Sequence, residues 1–422
     1  MSKEKRILLL DIDGVLLQPG GYRQAVTATI NYFTSLSGLT DLAPEEEVLA
    51  FFESRGITNE WDIVPICLST IFETMLEEYS EIALPSDWPS AAAKINVGKV
   101  KIKKVDYRKK ILEISKYLSV GKSPSAVIFE AGQNGPGNEL FPLFCKHPLF
   151  TTLLNDNKDI EKSLTTKIFQ NYVLGSKLFQ EIYNLEPLII TQSSLSQFDY
   201  SNLSESNCRA ILRFSNEGML SPVAFTARPS LPPKGIETSI EGYSPEAELA
   251  LELVGLPEIP LIAYGRLRFA AQLFQISPDL LIKPSPFQAL AAICVAAMSN
   301  KDEEKALIFA GKICAAVGLF PDWDGHSPAA IIFEPPVSDF LTELRSCHLV
   351  IDIIEDSPIG LSAAKRACQI ISDLNISVEF HHWGVTQDNI KKMALEAEGA
   401  AVYGNINEII PIILEKLHPL LP

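Results

Sequence analysis

The sequence lacks the features of three large classes of protein. Its seven cysteines are scattered, and no two form a Cys-x-x-Cys pair, so neither a zinc site nor a disulfide framework is predicted. No apolar run approaches the length of a membrane-spanning helix. Lys and Arg number 36 against 52 Asp and Glu, for a net charge of −16. This shortage of cations argues against binding to a nucleic-acid backbone.

The remaining composition is typical of a globular protein. The 422 residues are 47% hydrophobic and 21% charged, which is enough for two or three domains with their own cores. The first apolar run is interrupted by Asp11 after four residues, which is too short for a signal peptide. We therefore expect a cytoplasmic protein that binds a small molecule and neither a nucleic acid nor a membrane. Nothing in the sequence indicates an oligomeric state.

Two patterns of apolar residues divide the chain. Apolar residues recur mostly at helical spacing from about residue 20 to about residue 200, whereas helices and short apolar strands alternate from about residue 207. Such alternation is typical of a parallel sheet with helices on both faces. The sequence therefore predicts an α/β fold with a Rossmann-like, doubly wound parallel sheet. We place this core at 1–17 and 205–422, and a mostly α-helical inserted domain at 18–204.

Some individual segments carry clear local signals. Apolar runs predict strands in the second half of the chain, and clusters of proline, glycine and small polar residues predict loops in the first half. The expected strands are 221–226, 279–282, 329–333, 347–354, 378–383 and 400–403, and the expected irregular stretches are 85–101 and 123–148.

The run Ile-Leu-Leu-Leu at 7–10 is followed by Asp11, Asp13 and Gly14. A buried strand that ends in two carboxylates needs compensation, because an unpaired buried charge is expensive. One interpretation is that Asp11 and Asp13 bind a metal and do chemistry at the carboxyl edge of the sheet, where ligands of such sheets bind. The other is that they form a solvated acidic turn.

Polar side chains also follow other predicted strands. Thr226, Lys283 and the pair Glu355-Asp356 each come directly after a short apolar run. Structural explanations exist for two of these features: Lys283 could extend its stem to solvent, and the two acids could form a solvated turn. Arg228, two residues after Thr226, would either contact a phosphate or pair with an acid of the core.

Taken in order, these residues resemble the motifs of a known enzyme family. They are similar to the four motifs of the haloacid dehalogenase superfamily of phosphohydrolases, and the block 18–204 resembles the inserted helical cap of that superfamily. The resemblance covers 1–17 and about 205–404. It implies a Mg²⁺-dependent phosphatase that cleaves a small phosphorylated metabolite through an aspartyl-phosphate. The matching segments are DIDGVL at 11–16, FTAR at 225–228, KPSP at 283–286 and EDSPIG at 355–360.

The resemblance also implies roles for single residues. Asp11 would be the nucleophile, and Asp13 would protonate the leaving oxygen and later activate water. Thr226 would hydrogen-bond a phosphoryl oxygen, and Lys283 would offset the repulsion between Asp11 and the phosphate. Because dehalogenases of the family lack an acid at the position of Asp13, phosphate chemistry is favoured over carbon–halogen chemistry.

The same resemblance implies a set of ligands for Mg²⁺, which prefers oxygen. A carboxylate oxygen of Asp11, the backbone carbonyl of Asp13 and a carboxylate oxygen of Asp356 would hold the ion. Glu355 would be an outer or alternative ligand.

The segment 55–62, Arg-Gly-Ile-Thr-Asn-Glu-Trp-Asp, resembles a TNDWD-like element in the caps of some family members. By that resemblance, Arg55, Asn59 and Asp62 would contact the substrate. Arg228 of the core is a separate candidate for substrate binding. A purely structural interpretation stands beside it: Asn59 would cap the helix, and Asp62 would suit the helix dipole.

The chain also departs from the family pattern. Its cap is longer than usual, and about 70 residues separate Lys283 from Glu355, which leaves a surplus at 301–345 that could form an extra helix and strand or an oligomer contact. A second Asp-x-Asp-Gly at 322–325 follows Pro321 and predicts a turn rather than a site. Two other functions stay open: a phosphomutase on a sugar phosphate with the same core chemistry, and a non-catalytic ligand-binding protein.

Overall fold

The computed structural model describes residues 3–102, 104–118, 122–134, 139–236, 242–320 and 335–417. The chain divides into two compact units, which are Met1–Pro19 with Asp199–Pro422 (unit 1) and Gly20–Phe198 (unit 2). The boundaries expected from the sequence were 17/18 and 204/205. Within the described residues, no helix is long and apolar enough to cross a membrane.

The regular secondary structure that is described for unit 2 is helical. Helices α1, α3 and α8 pack against one another, and their buried faces supply Phe33, Phe72 and Phe169 to the core of this unit. Its helices are α1 (Gly21–Leu36), α2 (Glu46–Ser54), α3 (Glu60–Glu78), α4 (Trp88–Val97), α5 (Tyr107–Ile114), α6 (Pro124–Asn134), α7 (Pro148–Leu154), α8 (Leu164–Leu174), α9 (Ser176–Tyr183) and α10 (Ser194–Phe198).

Unit 1 contains a sheet of six parallel strands, in the order β5-β4-β1-β6-β7-β8. The predicted α/β fold with a Rossmann-like core is therefore confirmed. A separate antiparallel pair, β2 with β3, lies where the chain leaves and re-enters this unit. The strands are β1 (Lys3–Leu10), β2 (Leu17–Gln18), β3 (Tyr200–Ser201), β4 (Ser221–Phe225), β5 (Leu261–Ile262), β6 (Cys347–Glu355), β7 (Ser377–Val385) and β8 (Ala401–Tyr403).

Strand β1 is buried on both faces. Ile7 and Leu9 belong to one apolar core, and Leu8 and Leu10 belong to a second core on the opposite face, because successive side chains of a strand point to opposite sides. The helices that cover the two faces are α11 (Glu205–Asn216), α12 (Glu246–Leu253), α13 (Tyr264–Phe274), α14 (Phe287–Ala297), α15 (Glu303–Ala316), α16 (Val337–Arg345), α17 (Pro358–Asp373), α18 (Asn389–Ala397) and α19 (Ile406–Glu415).

Three predictions of local structure are wrong. The strand expected at 279–282 is instead a 3-10 turn, Pro278–Leu280, because Pro278 starts a helical turn that Ser277 caps. The loop expected at 85–101 contains α4, which Asp87 caps by accepting a hydrogen bond from the Ser90 amide at 2.9 Å. The irregular stretch expected at 123–148 contains α6 and the start of α7.

The described parts of the surplus segment, 301–320 and 335–345, contribute to the core of unit 1. Helices α15 and α16 lie in this segment, and the rings of Phe309 and Phe340 pack between them with centroids 5.0 Å apart and planes tilted by 40°. The strand expected at 329–333 and the Asp-x-Asp-Gly turn at 322–325 lie outside the described residues.

Candidate active site

Three polar side chains meet at the carboxyl edge of the sheet. Asp11 directly follows β1, Thr226 directly follows β4, and Glu355 is the last residue of β6. Leu10 of the central strand is in register with Ala224 on one side and with Ile354 on the other. The carboxyl ends of three neighbouring parallel strands therefore place these side chains at the same edge of the sheet, as predicted from the sequence.

Lys283 connects two of these strand ends. Its ammonium donates to Oδ1 of Asp11 at 2.9 Å and to Oε1 of Glu355, and it lies 4.1 Å from the centroid of the Phe225 ring. Burial alone would lower the pKa of Lys283, but Asp11 and Glu355 outweigh it and hold the pKa above the usual lysine value. Lys283 is thus a largely buried cation that comes from a loop and not, as expected, from a strand end.

The EDSPIG segment is organised around the buried Glu355. Its Oε2 accepts hydrogen bonds from the amides of Asp356 and Ser357 and from the Ser357 hydroxyl. A Cβ on Gly360 would lie 1.9 Å from Oε1 of Glu355, so a larger residue there would push the Glu355 carboxylate out of this position. The segment therefore fixes Glu355 so that its other oxygen faces Lys283.

Asp356 lies over the backbone of the first motif. Gly14 has φ +78°, and a Cβ there would be 2.3 Å from Oδ2 of Asp356. The close approach explains why glycine follows Asp13 in the sequence. Asp356 also forms an ion pair with Lys391 of α18, a partner that the sequence did not indicate.

The carboxylates at this edge are held close together. One ligand oxygen from each of Asp11, Glu355 and Asp356 lies within 4.8 Å of the others, and this is the one such cluster of metal-ligating side chains among the described residues. Burial raises the pKa of Asp11 well above its usual range, Glu355 and Asp356 add to the rise, and Lys283 opposes it. Burial likewise raises the pKa of Asp356 against the opposing charge of Lys391. The cluster therefore has more negative charge than its two lysines balance.

Asp13 takes part in a second set of ion pairs. The guanidinium of Arg228 donates to both of its carboxylate oxygens, at 2.6–3.0 Å, and donates through Nη1 to Asp199 at 3.0 Å. The hydroxyl of the buried Thr226 accepts a hydrogen bond from the Arg228 amide at 3.2 Å. Of the two interpretations of Arg228, pairing with an acid is thus observed, and contact with substrate stays a prediction.

The predicted substrate residues of unit 2 have structural partners within that unit. Asn59 caps α3 by accepting from the Trp61 amide at 2.9 Å. Asp62 is buried and binds Lys158 at 2.7 Å, and this ion pair with other hydrogen bonds outweighs burial and lowers its pKa. Arg55 is exposed, and its guanidinium lies over the Phe51 ring. Substrate contact by Arg55, Asn59 and Asp62 stays a prediction.

The structure thus brings together seven of the ten predicted site residues in unit 1. They are Asp11, Asp13, Thr226, Arg228, Lys283, Glu355 and Asp356. Sequence reasoning missed two charged partners, Asp199 and Lys391. No local pattern marks either of them, since each meets its partner only through the tertiary fold.

Comparison with known proteins supports the fold. No protein-family model and no curated protein matches the chain. An X-ray structure described as Northeast Structural Genomics Consortium target ZR25 is similar, with a TM-score of 0.57, 17% sequence identity, and coverage of 98% of this chain and 99% of that chain. At this identity the likeness shows a shared fold alone.

A second solved structure, phosphatase Tt82 from Thermococcus thioreducens, has a TM-score of 0.39 and 13% identity, and covers 93% of this chain and 99% of that one. A TM-score below 0.5 does not establish a shared fold. The phosphatase activity named for Tt82 is therefore not evidence for the function of the chain described here. The first of the two structures, which was solved by crystallography, therefore has the same fold as this chain.

Proposed function

We propose that the protein is a Mg²⁺-dependent phosphohydrolase that cleaves a small phosphorylated metabolite through an aspartyl-phosphate on Asp11. The observation that carries the proposal is the cluster of Asp11, Glu355 and Asp356 at the carboxyl edge of the sheet, in which Lys283 bridges the buried Asp11 and Glu355. A nucleophilic carboxylate beside a buried cation and an oxygen-rich ion site is what phosphoryl transfer requires, because positioning and charge neutralisation are its main demands.

The residues present fit a magnesium ion. When ionised, the three carboxyl groups of Asp11, Glu355 and Asp356 exceed the charge of Lys283 and Lys391 by one, and a divalent cation would offset this excess. We expect Asp11, Asp356 and the carbonyl of Asp13 to hold the ion. Both oxygens of Glu355 already accept hydrogen bonds, so we assign it to the positioning of Lys283. When bound, Mg²⁺ would offset the repulsion between the nucleophile and the phosphate.

In the first step, a carboxylate oxygen of Asp11 attacks phosphorus, and the bond from phosphorus to the leaving oxygen breaks. Asp13 gives its proton to that oxygen, so the alcohol leaves neutral. Lys283 supports the step by opposing the negative charge on Asp11 and on the phosphoryl oxygens. The Thr226 hydroxyl, which accepts from the Arg228 amide, keeps its own hydrogen to donate to a phosphoryl oxygen.

In the second step, Asp13 takes a proton from water as the water oxygen attacks phosphorus. The bond between Asp11 and phosphorus breaks, which yields inorganic phosphate and the free Asp11 carboxylate. Asp13 ends the cycle protonated, as it began. The two steps together consume one water for each phosphate ester.

The test is phosphate release from p-nitrophenyl phosphate and a panel of phosphorylated metabolites in the presence of Mg²⁺. We expect wild type to be active and Asp11→Asn to lose at least about a thousandfold in kcat, because the amide is not a nucleophile. Asp352→Asn is the matched control: Asp352 is also a buried carboxyl of unit 1, but it accepts from the Trp383 indole at 2.8 Å and lies within β6.

The outcomes separate the proposed chemistry from its alternatives. Full activity of Asp11→Asn would contradict the mechanism, and wild type that releases no phosphate from any compound would contradict the function. A sugar phosphate converted to its isomer, with no phosphate released, would identify a phosphomutase instead.

A further inference from the structure

Asp13, Arg228 and Asp199 form a chain of ion pairs within unit 1. Nε of Arg228 lies 3.0 Å from Oδ1 and 2.9 Å from Oδ2 of Asp13, and Nη2 lies 2.6 Å from Oδ1. On the other side, Nη1 donates to Oδ2 of Asp199 at 3.0 Å. The guanidinium therefore contacts one carboxylate through two nitrogens and a second carboxylate through the third.

The burial of these groups is uneven. The side chains of Arg228 and Asp199 are each 2% exposed, whereas that of Asp13 is 37% exposed. A buried guanidinium is retained only where carboxylates satisfy it, and its planar fork holds a carboxylate in a set orientation. Arg228 and Asp199 thus form the buried, fixed part of this set of ion pairs. Asp13 is the group that they hold towards solvent.

Arg228 uses two of its N–H groups on Asp13. The single N–H of Nε is shared between Oδ1 and Oδ2, and Nη2 donates to Oδ1 alone. A carboxylate has about four lone pairs, so this contact fixes the orientation of the side chain and still leaves lone pairs for a proton. The geometry therefore combines a fixed carboxyl group with the capacity to exchange a proton.

We infer that Arg228, fixed by Asp199, is a positioning residue that presents the carboxyl group of Asp13 to the reacting oxygens, an inference that rests on the proposed function. In the first step, the proton of the Asp13 carboxyl passes to the leaving oxygen as the bond from that oxygen to phosphorus breaks. In the second, the Asp13 carboxylate takes a proton from the attacking water. Arg228 stays bonded to Asp13 throughout and exchanges no proton.

The test compares Arg228→Gln, Arg228→Lys and Asp199→Asn in the wild-type background, and Arg228→Gln again in the Asp13→Asn background. With p-nitrophenyl phosphate and saturating Mg²⁺, we expect Arg228→Gln to lower kcat about a hundredfold, because misplacing a catalytic group by about 1 Å has an effect of that size. KM should change by less than about threefold, since ground-state binding is kept. Arg228→Lys should recover part of kcat, and Asp199→Asn should lose less than Arg228→Gln.

The double variant is the decisive comparison. If Arg228 acts through Asp13, Arg228→Gln should lower kcat no further once Asp13 is already Asn. A substituted protein that is merely misfolded would instead lose activity in both backgrounds. The matched control is Arg266→Gln, since Arg266 is also 2% exposed and also pairs with two carboxylates, Glu248 and Glu303. This control should lose stability and keep kcat per folded molecule.

The outcomes distinguish this inference from the proposed function. Wild type without phosphatase activity would overturn both. Active wild type, with Arg228→Gln unchanged in kcat or with an equal loss in both Asp13 backgrounds, would overturn the inference alone. A loss of kcat in Arg266→Gln equal to that in Arg228→Gln would also overturn it, because burial of any such arginine would then explain the effect.

Discussion

Substitution of Lys283 by methionine tests whether a cation compensates the buried carboxylates. Methionine keeps much of the apolar stem but removes the charge that lies 2.9 Å from Asp11 and pairs with Glu355. Breaking a buried ion pair in this way costs about 3–5 kcal/mol, and loss of the contact over the Phe225 ring adds about 1–2 kcal/mol. In EDTA, we therefore expect Lys283→Met to be about 4 kcal/mol or more less stable than wild type.

Magnesium should reverse part of this loss. A ligand at a hundred times its dissociation constant stabilises the folded state by about 2.7 kcal/mol. Removal of one positive charge from the site should tighten Mg²⁺ binding about tenfold, because unit charges a few ångströms apart near a protein surface interact by about 1–4 kcal/mol. The stabilisation by Mg²⁺ should therefore be about 1.4 kcal/mol larger in Lys283→Met than in wild type, at equal ion concentration.

The assay is urea unfolding followed by circular dichroism, with EDTA or with Mg²⁺. Lys158→Met is the matched control, since Lys158 also pairs with a buried carboxylate, Asp62 at 2.7 Å, and lies over the Trp61 ring. That control should lose stability equally in EDTA and in Mg²⁺. Equal stabilisation of Lys283→Met and wild type by Mg²⁺ would refute the reasoning, because the lysine would then not share its carboxylates with the ion.

Substitutions at three further positions have definite expected results. Gly14→Ala should cost about 1–2 kcal/mol for its positive φ, and it should weaken Mg²⁺ binding in calorimetry, since its Cβ would displace Asp356; unchanged affinity would contradict this. Burial, with the nearby Lys5, lowers the pKa of Lys301 from 10.5 to about 8, so the unfolded chain binds more protons between those pH values. Across that pH window, the free energy of unfolding should therefore rise by about 1–3 kcal/mol more in wild type than in Lys301→Gln. Parallel dependences of this free energy on pH in the two proteins would contradict the lowered pKa of Lys301. Asn59→Ala should cost about 1 kcal/mol and Asn59→Asp little, because both Asn and Asp cap a helix; equal losses in urea unfolding would rule out capping.

The sequence was most informative where function depends on strand ends. Asp11, Thr226 and Glu355 were predicted to share one edge because each follows or ends an apolar run, and the parallel register confirms that they do. Lys283 was predicted at the same edge for a wrong reason, since it comes from a loop after a 3-10 turn. Its place depends on the ion pairs that it makes and not on the local pattern around it.

The missed features were of two kinds. Helix α4 carried a readable signal, Asp87 followed by Pro89, which is typical of a helix start. Its small residues, Ala91 and Ala92, suggested a loop, but both are buried. By contrast, no sequence pattern indicates the ion pairs of Asp199 with Arg228 and of Lys391 with Asp356, because each pair joins segments that are distant in the chain.

The most direct measurement of the central claim is detection of a covalent phosphoryl group on Asp11. Wild type would be mixed with a phosphorylated substrate and Mg²⁺, quenched in acid within one turnover, digested, and analysed by mass spectrometry. We predict that the peptide containing Asp11 gains the mass of one phosphoryl group, and that the Asp11→Asn protein gains none. Phosphate release by wild type with no labelled peptide, or with the label on another residue, would contradict the account.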